Sequence, residues 1–359
     1  MLTASFSLAA VAAPSPLMTW VIWPTIKFVI AFAIVITVVA AMTLVERRFL
    51  GFLQARLGPN RVGPYGLLQF VADPIKLLLK EDIVPAGAQR VPYFIAPWLP
   101  LIPAMTVFAI IPVGPPPAFQ ISSVNIGILL VLALTSTGVY GLILGGWASN
   151  NKYSLMGGLR SAAQMVSYEV PFGLSIIGVL MIAGTLNLGD IVRYQERHLW
   201  FVIPQIIAFF IFLVAMIAEN NRAPFDLPEA ESELVAGFHT EYSGMKFAFF
   251  FLAEYAAMLV NSSLVVVLFF GGWTLAMGGV GITTEVLVSW GALGAILGGL
   301  IFFAKVMCFM LLYVWLRGTF PRYRFDQLMS LGWKWMIPLA LANIAVTGVV
   351  VLLLNGKGI

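Results

Sequence analysis

Eight predominantly apolar stretches, near 19–45, 94–113, 124–147, 160–186, 199–218, 245–271, 289–316 and 335–355, leave this chain little choice of fold. A helix rises 1.5 Å per residue, so about 20 apolar residues cross the ~30 Å hydrocarbon core of a bilayer. Inside lipid every backbone N–H and C=O needs a partner within the protein, which favours helices for runs of this length. Only 10% of the 359 residues are charged, whereas a soluble domain carries about 25%. The expected fold is all-α: a polytopic membrane protein with about eight transmembrane helices in a single domain over 19–355. Residues 1–18 form an apolar lead, expected to be poorly ordered, and 356–359 a short tail. The lead lacks the basic start of a signal peptide and reads as uncleaved.

The formal net charge of +4 invites a nucleic-acid reading. The basic residues, however, are not gathered in one patch. Loops 46–93, 148–159, 219–244 and 317–334, with Arg160 and Lys246 at their borders, hold fifteen Lys and Arg, and the opposite side holds three, Arg193, Arg197 and Lys357. By the positive-inside rule the four loops are cytoplasmic and both termini face away from the cytoplasm. Nucleic acid is not an expected partner; lipid is. Trp98, Trp147, Trp200, Trp273 and Trp335 fall near span ends and read as an aromatic belt. The lone Cys308 reads as a small core residue. One cysteine and two well-separated histidines, His198 and His239, are too few for a cysteine-held iron–sulfur cluster, and no metal or haem is expected on this chain.

The first loop carries a helix-like segment. Gln69, Asp73, Lys76 and Lys80 are spaced 4, 3 and 4 apart and so share one face, with Leu68, Phe70, Val71, Ile75, Leu78 and Leu79 over the rest. The pattern suits an amphipathic helix lying in the membrane interface, kinked or started by Pro74. An ordinary linker helix is the alternative.

Between the fifth and sixth stretches, Glu219, Asp226, Glu229, Glu231 and Glu233 crowd together with Arg222. Pro224 and Pro228 prevent one continuous helix there. In an extended chain, Glu229, Glu231 and Glu233 would project on one side, roughly 7 Å apart, and titrate as a coupled group. A solvated loop end is the plainer reading. Within the spans, Glu169, Glu254 and Lys305 are ionisable. Each glutamate is about nine residues from its cytoplasmic end, hence ~14 Å deep. A carboxylate there costs at least ~2.5 kcal/mol unless paired, hydrated or protonated. With Glu219 these residues read as a polar passage, or as a structural Glu–Lys tie. Tyr168 and Tyr255 flank the two glutamates, placed to donate to a carboxylate or to fill space. No phosphate-binding loop, His-Glu-x-x-His or Ser/His/Asp grouping is present, so no self-contained active site is expected.

Pro224-Phe-Asp-Leu-Pro-Glu-Ala-Glu-Ser-Glu-Leu-Val-Ala-Gly237 resembles the signature of the quinone-site membrane subunit of respiratory complex I, the proton-pumping NADH:quinone oxidoreductase. Gly66-Leu-Leu-Gln-x-x-Ala-Asp73-x-x-Lys76-x-x-x-Lys80-Glu81 is similar to a second signature of that family, from which Pro74 departs. Further likeness lies in Glu46-Arg-Arg, Gln54-x-Arg56-x-Gly-Pro-Asn, Ser167-Tyr-Glu169, Ala253-Glu-Tyr255 and the run from Arg317 through Asp326. The resemblance implies a bacterial inner-membrane protein. Its partners would be peripheral-arm subunits, bearing the iron–sulfur clusters and the quinone headgroup site, and the other membrane-arm subunits. Quinone would be the substrate, with FMN, haem and iron–sulfur clusters held elsewhere. It also implies that Arg47, Arg56, Asp73, Lys76, Phe225 and Asp226 line the quinone passage. Glu219, Arg222, Glu229, Glu231 and Glu233 would couple quinone chemistry to Glu169, Glu254 and Lys305. Rival readings are the related subunit of a membrane-bound hydrogenase, a stand-alone proton channel or transporter, and a purely structural anchor.

Overall fold

The computed structural model describes residues 18–116, 119–228 and 231–355. The lead up to residue 17, Glu229 and the tail lie outside the described residues, so expectations on them stay untested.

Every regular element among the described residues is helical. In order they are α1 (Trp23–Leu53), α2 (Gln69–Leu79), α3 (Arg90–Ile95), α4 (Trp98–Val107), α5 (Gly127–Ser136), α6 (Gly138–Ala148), α7 (Lys152–Ala183), α8 (Leu188–Arg197), α9 (Ile206–Glu219), α10 (Glu231–Leu234), α11 (Gly244–Phe269), α12 (Thr284–Ser289), α13 (Gly291–Thr319), α14 (Phe325–Ser330) and α15 (Ile337–Asn355). Short 3-10 and π turns join several of them.

Six helical stretches are long and apolar enough to cross a bilayer: α1, the paired α5–α6, α7, α11, α13, and α14 running on into α15. The chain is an all-α polytopic membrane protein. Two of the eight expected spans are shorter. α9 has 14 residues and α4 has 10, about 21 Å and 15 Å of helix. α4 carries Pro103 within it, and proline removes an amide donor and crowds the preceding turn. The irregular backbone after α4 is tolerable because it is enclosed by protein: Ile110 and Ile111 are buried.

Helix α11 is the hub. Most of its length from Ala256 to Phe269 is buried, and it touches α1, α2, α4, α8, α9 and α13. α7 runs beside α6, α9 and α15. Close approach requires glycine here. A Cβ at Gly157 of α7 would come within 2.6 Å of the Phe238 backbone nitrogen, and one at Gly146 of α6 within 2.5 Å of the Ser154 carbonyl oxygen. Asn151 caps α7 by accepting from the Tyr153 amide at 2.9 Å, and Gly184 ends it in the left-handed conformation.

Several expectations change on contact with the fold. Residues 231–234 form a helical turn rather than extended chain. A turn satisfies its own backbone groups, whereas an extended segment would need a partner strand. Positions two apart on a helix do not share a face, so the argument for a common side fails there. Cys308 is exposed on α13 rather than in the core; in a lipid-facing helix the bilayer buries an apolar side chain as well as a core does. Trp98, Trp147 and Trp335 are exposed as a belt requires, but Trp273 is fully buried and donates to the Thr284 hydroxyl at 3.1 Å. Pro74 sits inside α2 without ending it.

Candidate functional site: a buried charge cluster and an adjoining cavity

Helix α1 extends eight residues beyond the expected end of the first apolar stretch, and this carries Glu46 inward. Glu46 is 4% exposed. Arg222 Nη1 donates to its Oε1 at 3.2 Å, Arg317 of α13 pairs with the same oxygen, and the Tyr255 hydroxyl donates to Oε2. Arg222 also pairs through Nε with Glu254 of α11, and its guanidinium lies 4.6 Å from the Tyr255 ring centre. Two carboxylates and two guanidinia thus meet where α1, α11, α13 and the loop after α9 converge. Burial opposes the Arg222 charge, but Glu254, Tyr255 and Glu46 outweigh it and hold that group firmly cationic. Such a cluster survives in low dielectric only because each charge is paired.

The loop carrying Arg222 is pinned from three directions. Gln164 of α7 donates to the Ala218 and Phe225 carbonyls at 2.8 and 2.7 Å. The Phe225 ring stacks on Tyr323 at 5.4 Å and lies 5.8 Å from Tyr168. Arg322 donates to Asp226 Oδ2 at 2.9 Å. Burial pushes the Asp226 carboxyl up, against the pull of Arg322, Arg317 and Arg222. Asp226 Oδ1 and Arg222 Nη2 are buried without a hydrogen-bond partner among the described residues, so an acceptor and a donor remain in the cluster. The tyrosine question divides: Tyr255 donates to a carboxylate, while Tyr168 donates to the Leu328 carbonyl at 2.9 Å.

Beside the cluster lies a cavity of about 80 Å³, room for several water molecules at ~10–15 Å³ of such space each. Glu254 and Glu219 both line it, with Asn220, Asn221, Asn261 and His239. Asn261 donates to Asn220 Oδ1 at 3.3 Å and to Glu219 Oε2 at 3.5 Å. Asn220 donates to the Tyr313 hydroxyl at 2.6 Å. Glu169 is outside the lining but close enough for its charge to be felt at Glu219; it accepts from the Ser136 hydroxyl. Burial pushes the His239 imidazole down to about 4, so the ring is neutral at pH 7.

The remaining expected site residues divide. Arg47 pairs with Asp73 at 3.0 Å, fastening α2 to α1, and within α2 Gln69 donates to Asp73 at 2.8 Å. Arg56 bonds to Gln54 at 2.7 Å and, like Lys76, is exposed. Glu233 pairs with Arg160 of α7 at 2.5 Å, half in solvent. Only the backbone of Glu231 is described. Lys305 joins neither glutamate: it donates to the Phe270, Gly272 and Thr274 carbonyls at the other end of α11. Glu46 and Arg317, central to the cluster, are not among the site residues expected from sequence. Beside Arg47 and Arg48, Glu46 reads as a loop residue; the signal for its burial is its place one turn after Met42 on an otherwise apolar helix face.

The fold and this site define an integral membrane protein with an ion-paired centre that shares Glu254 with a largely apolar cavity also lined by Glu219. A family model described as NADH dehydrogenase matches residues 26–348. Over 335 residues the chain is 48% identical to the NADH-quinone oxidoreductase H subunit numbered 1 of Geobacter metallireducens, covering 91% of this chain and 96% of that one. It is 51% identical over 310 residues to the H subunit of the NADH-quinone oxidoreductase of Rhodospirillum centenum, covering 86% and 88%. With that of Magnetococcus marinus it shares 46% over 334 residues, 93% of each chain. The chain belongs to the NADH dehydrogenase family, within its group of NADH-quinone oxidoreductase H subunits.

Proposed function

We propose that the chain, as a subunit of a bacterial NADH-quinone oxidoreductase, lines the membrane side of the quinone chamber and passes the consequence of quinone reduction to proton translocation. The observation that carries this reading is that the Arg222–Glu46–Glu254 cluster lies four residues from Asp226 along the same loop and shares Glu254 with the cavity that Glu219 also lines. Quinone enters along α2 and the Arg47–Asp73 pair, near the exposed Arg56 and Lys76. Phe225 and Asp226 border the chamber, with Asp226 Oδ1 and Arg222 Nη2 buried behind them and unpartnered among the described residues. A change of charge there is felt by Asp226, which burial has biased towards holding a proton. The acidic loop through Glu229, Glu231 and Glu233 adjusts, and protons move by way of Glu254 and Glu219 towards Glu169 and neighbouring membrane-arm subunits. The iron–sulfur clusters that deliver electrons sit in peripheral-arm partners. Loops 46–93, 148–159, 219–244 and 317–334 face the cytoplasm and both termini the opposite side, around one transmembrane domain over 19–355.

The test uses the intact complex in proteoliposomes. Asp226→Asn and Glu231→Gln are expected to assemble, with NADH:quinone turnover lowered several-fold and proton pumping lowered with it. Undiminished pumping in both variants defeats the reading.

A further inference from the structure

Lys305 lies at the middle of α13, yet its three donors are all spent on backbone. It donates to the carbonyls of Phe270 at 2.7 Å, Gly272 at 3.0 Å and Thr274 at 2.6 Å. A lysine ammonium has three N–H groups and no acceptor. The Trp200 ring lies 4.8 Å away, and Trp200 itself donates to the Ala276 carbonyl at 2.8 Å. Gln195 of α8 completes the enclosure, donating to the Val267 carbonyl at 2.8 Å and accepting from the Gly271 amide at 3.1 Å. Gly271 and Gly272 have positive φ, and a Cβ on either would meet Trp200 or Val192 within 3 Å. The backbone just past α11 is thereby folded tightly around one cation, where the helix dipole also favours positive charge.

Follow α11 from the cavity towards this point. Glu254, Ala257, Val260 and Asn261 line the cavity, and no later residue of the helix does. Leu264, Val265, Val266, Val267, Leu268 and Phe269 are all fully buried. Beyond Asn261 only the buried Ser262 and Ser263 are polar, and about 9 Å of apolar helix over 264–269 separates them from the Lys305 cage. A positive charge behind an apolar constriction repels a hydrated proton.

We propose that residues 264–269 and the Lys305 ammonium that closes them form a proton barrier across the far end of this subunit. A proton entering the Glu254–Glu219 cavity therefore has no route along α11 to the far side of this chain. The cavity's part in proton uptake rests on the function proposed above; the barrier does not.

The test needs no turnover. The intact complex in vesicles, without NADH or quinone, is given an imposed pH gradient. Lys305→Met is expected to dissipate it several-fold faster than the unaltered complex, and Lys305→Arg to hold it. In the solubilised complex with Cys308→Ala, Val266→Cys is expected to stay unlabelled by a small charged thiol reagent. A Lys305→Met complex as tight as the unaltered one overturns the barrier, and so does rapid labelling of the Val266→Cys variant. If Lys305→Met does not assemble, the labelling result decides alone. Because leak is read at rest, loss of coupled pumping with tight vesicles counts against the relay and not against the barrier.

Discussion

At the scale of single residues, His239 shows how enclosure sets chemistry. It sits on the cavity wall among Phe238, Phe247 and Phe251, and burial lowers its pKa to about 4. An unfolded histidine titrates near 6.5. Between those values the unfolded chain binds a proton that the folded chain refuses, so stability is full above about pH 6.5 and falls as pH drops towards 4. The loss attributable to this ring is about 3 kcal/mol at pH 4. His239→Gln should flatten the decline between pH 6.5 and 5, where exposed carboxylates still keep their charge. Unfolding midpoints of the solubilised complex across that range check it; parallel curves for the two proteins refute it. Nothing near His239 in sequence announces this burial, because the wall is built by residues far apart along the chain.

At the scale of elements, glycine positions decide which helices touch. Gly157 and Gly173 lie on the same helix, α7. A side chain at Gly157 strikes the backbone of Gly237 and Phe238, while nothing lies within 4 Å of a Cβ at Gly173. Gly157→Ala should destabilise by about 1–3 kcal/mol through overpacking, and displace the turn that holds His239. Gly173→Ala should stay within about 0.5 kcal/mol of the unaltered protein. Thermal unfolding of the two variants side by side tests the contrast. The long helices themselves are legible in the sequence, because 20-residue apolar runs admit few other structures. α10 is not: four residues carry no periodicity, and two nearby prolines point to extended chain. α4 and α9 read as full spans because apolar composition continues into the turns that flank them.

Across the whole molecule, Arg222 ties together parts that the chain keeps far apart: Glu46 on α1, Glu254 and Tyr255 on α11, and through Glu46 the Arg317 end of α13. Removing one member of a buried ion pair strands the others, at a cost of about 3–5 kcal/mol. Arg222→Met should therefore lower the unfolding midpoint and the yield of assembled complex. Arg160→Met breaks a half-exposed pair and should cost under about 1 kcal/mol. Equal losses for both would mean that the cluster does not hold the bundle together. Sequence alone marks Arg222 and Glu254 by their odd setting and by family likeness, but not which group pairs with which. Glu254 reaches back to a loop arginine instead of across to Lys305, a choice fixed by helix packing.

The shortness of α9 has a consequence for the surrounding lipid. Its flank exposes Ile206, Ile207 and Phe210, yet the helix supplies only about 21 Å against a hydrocarbon slab of ~30 Å. Acyl chains bordering that side must shorten or tilt to meet it. Where lipid rather than another subunit borders this side, the bilayer is expected to be thinned next to the helix that ends in Glu219.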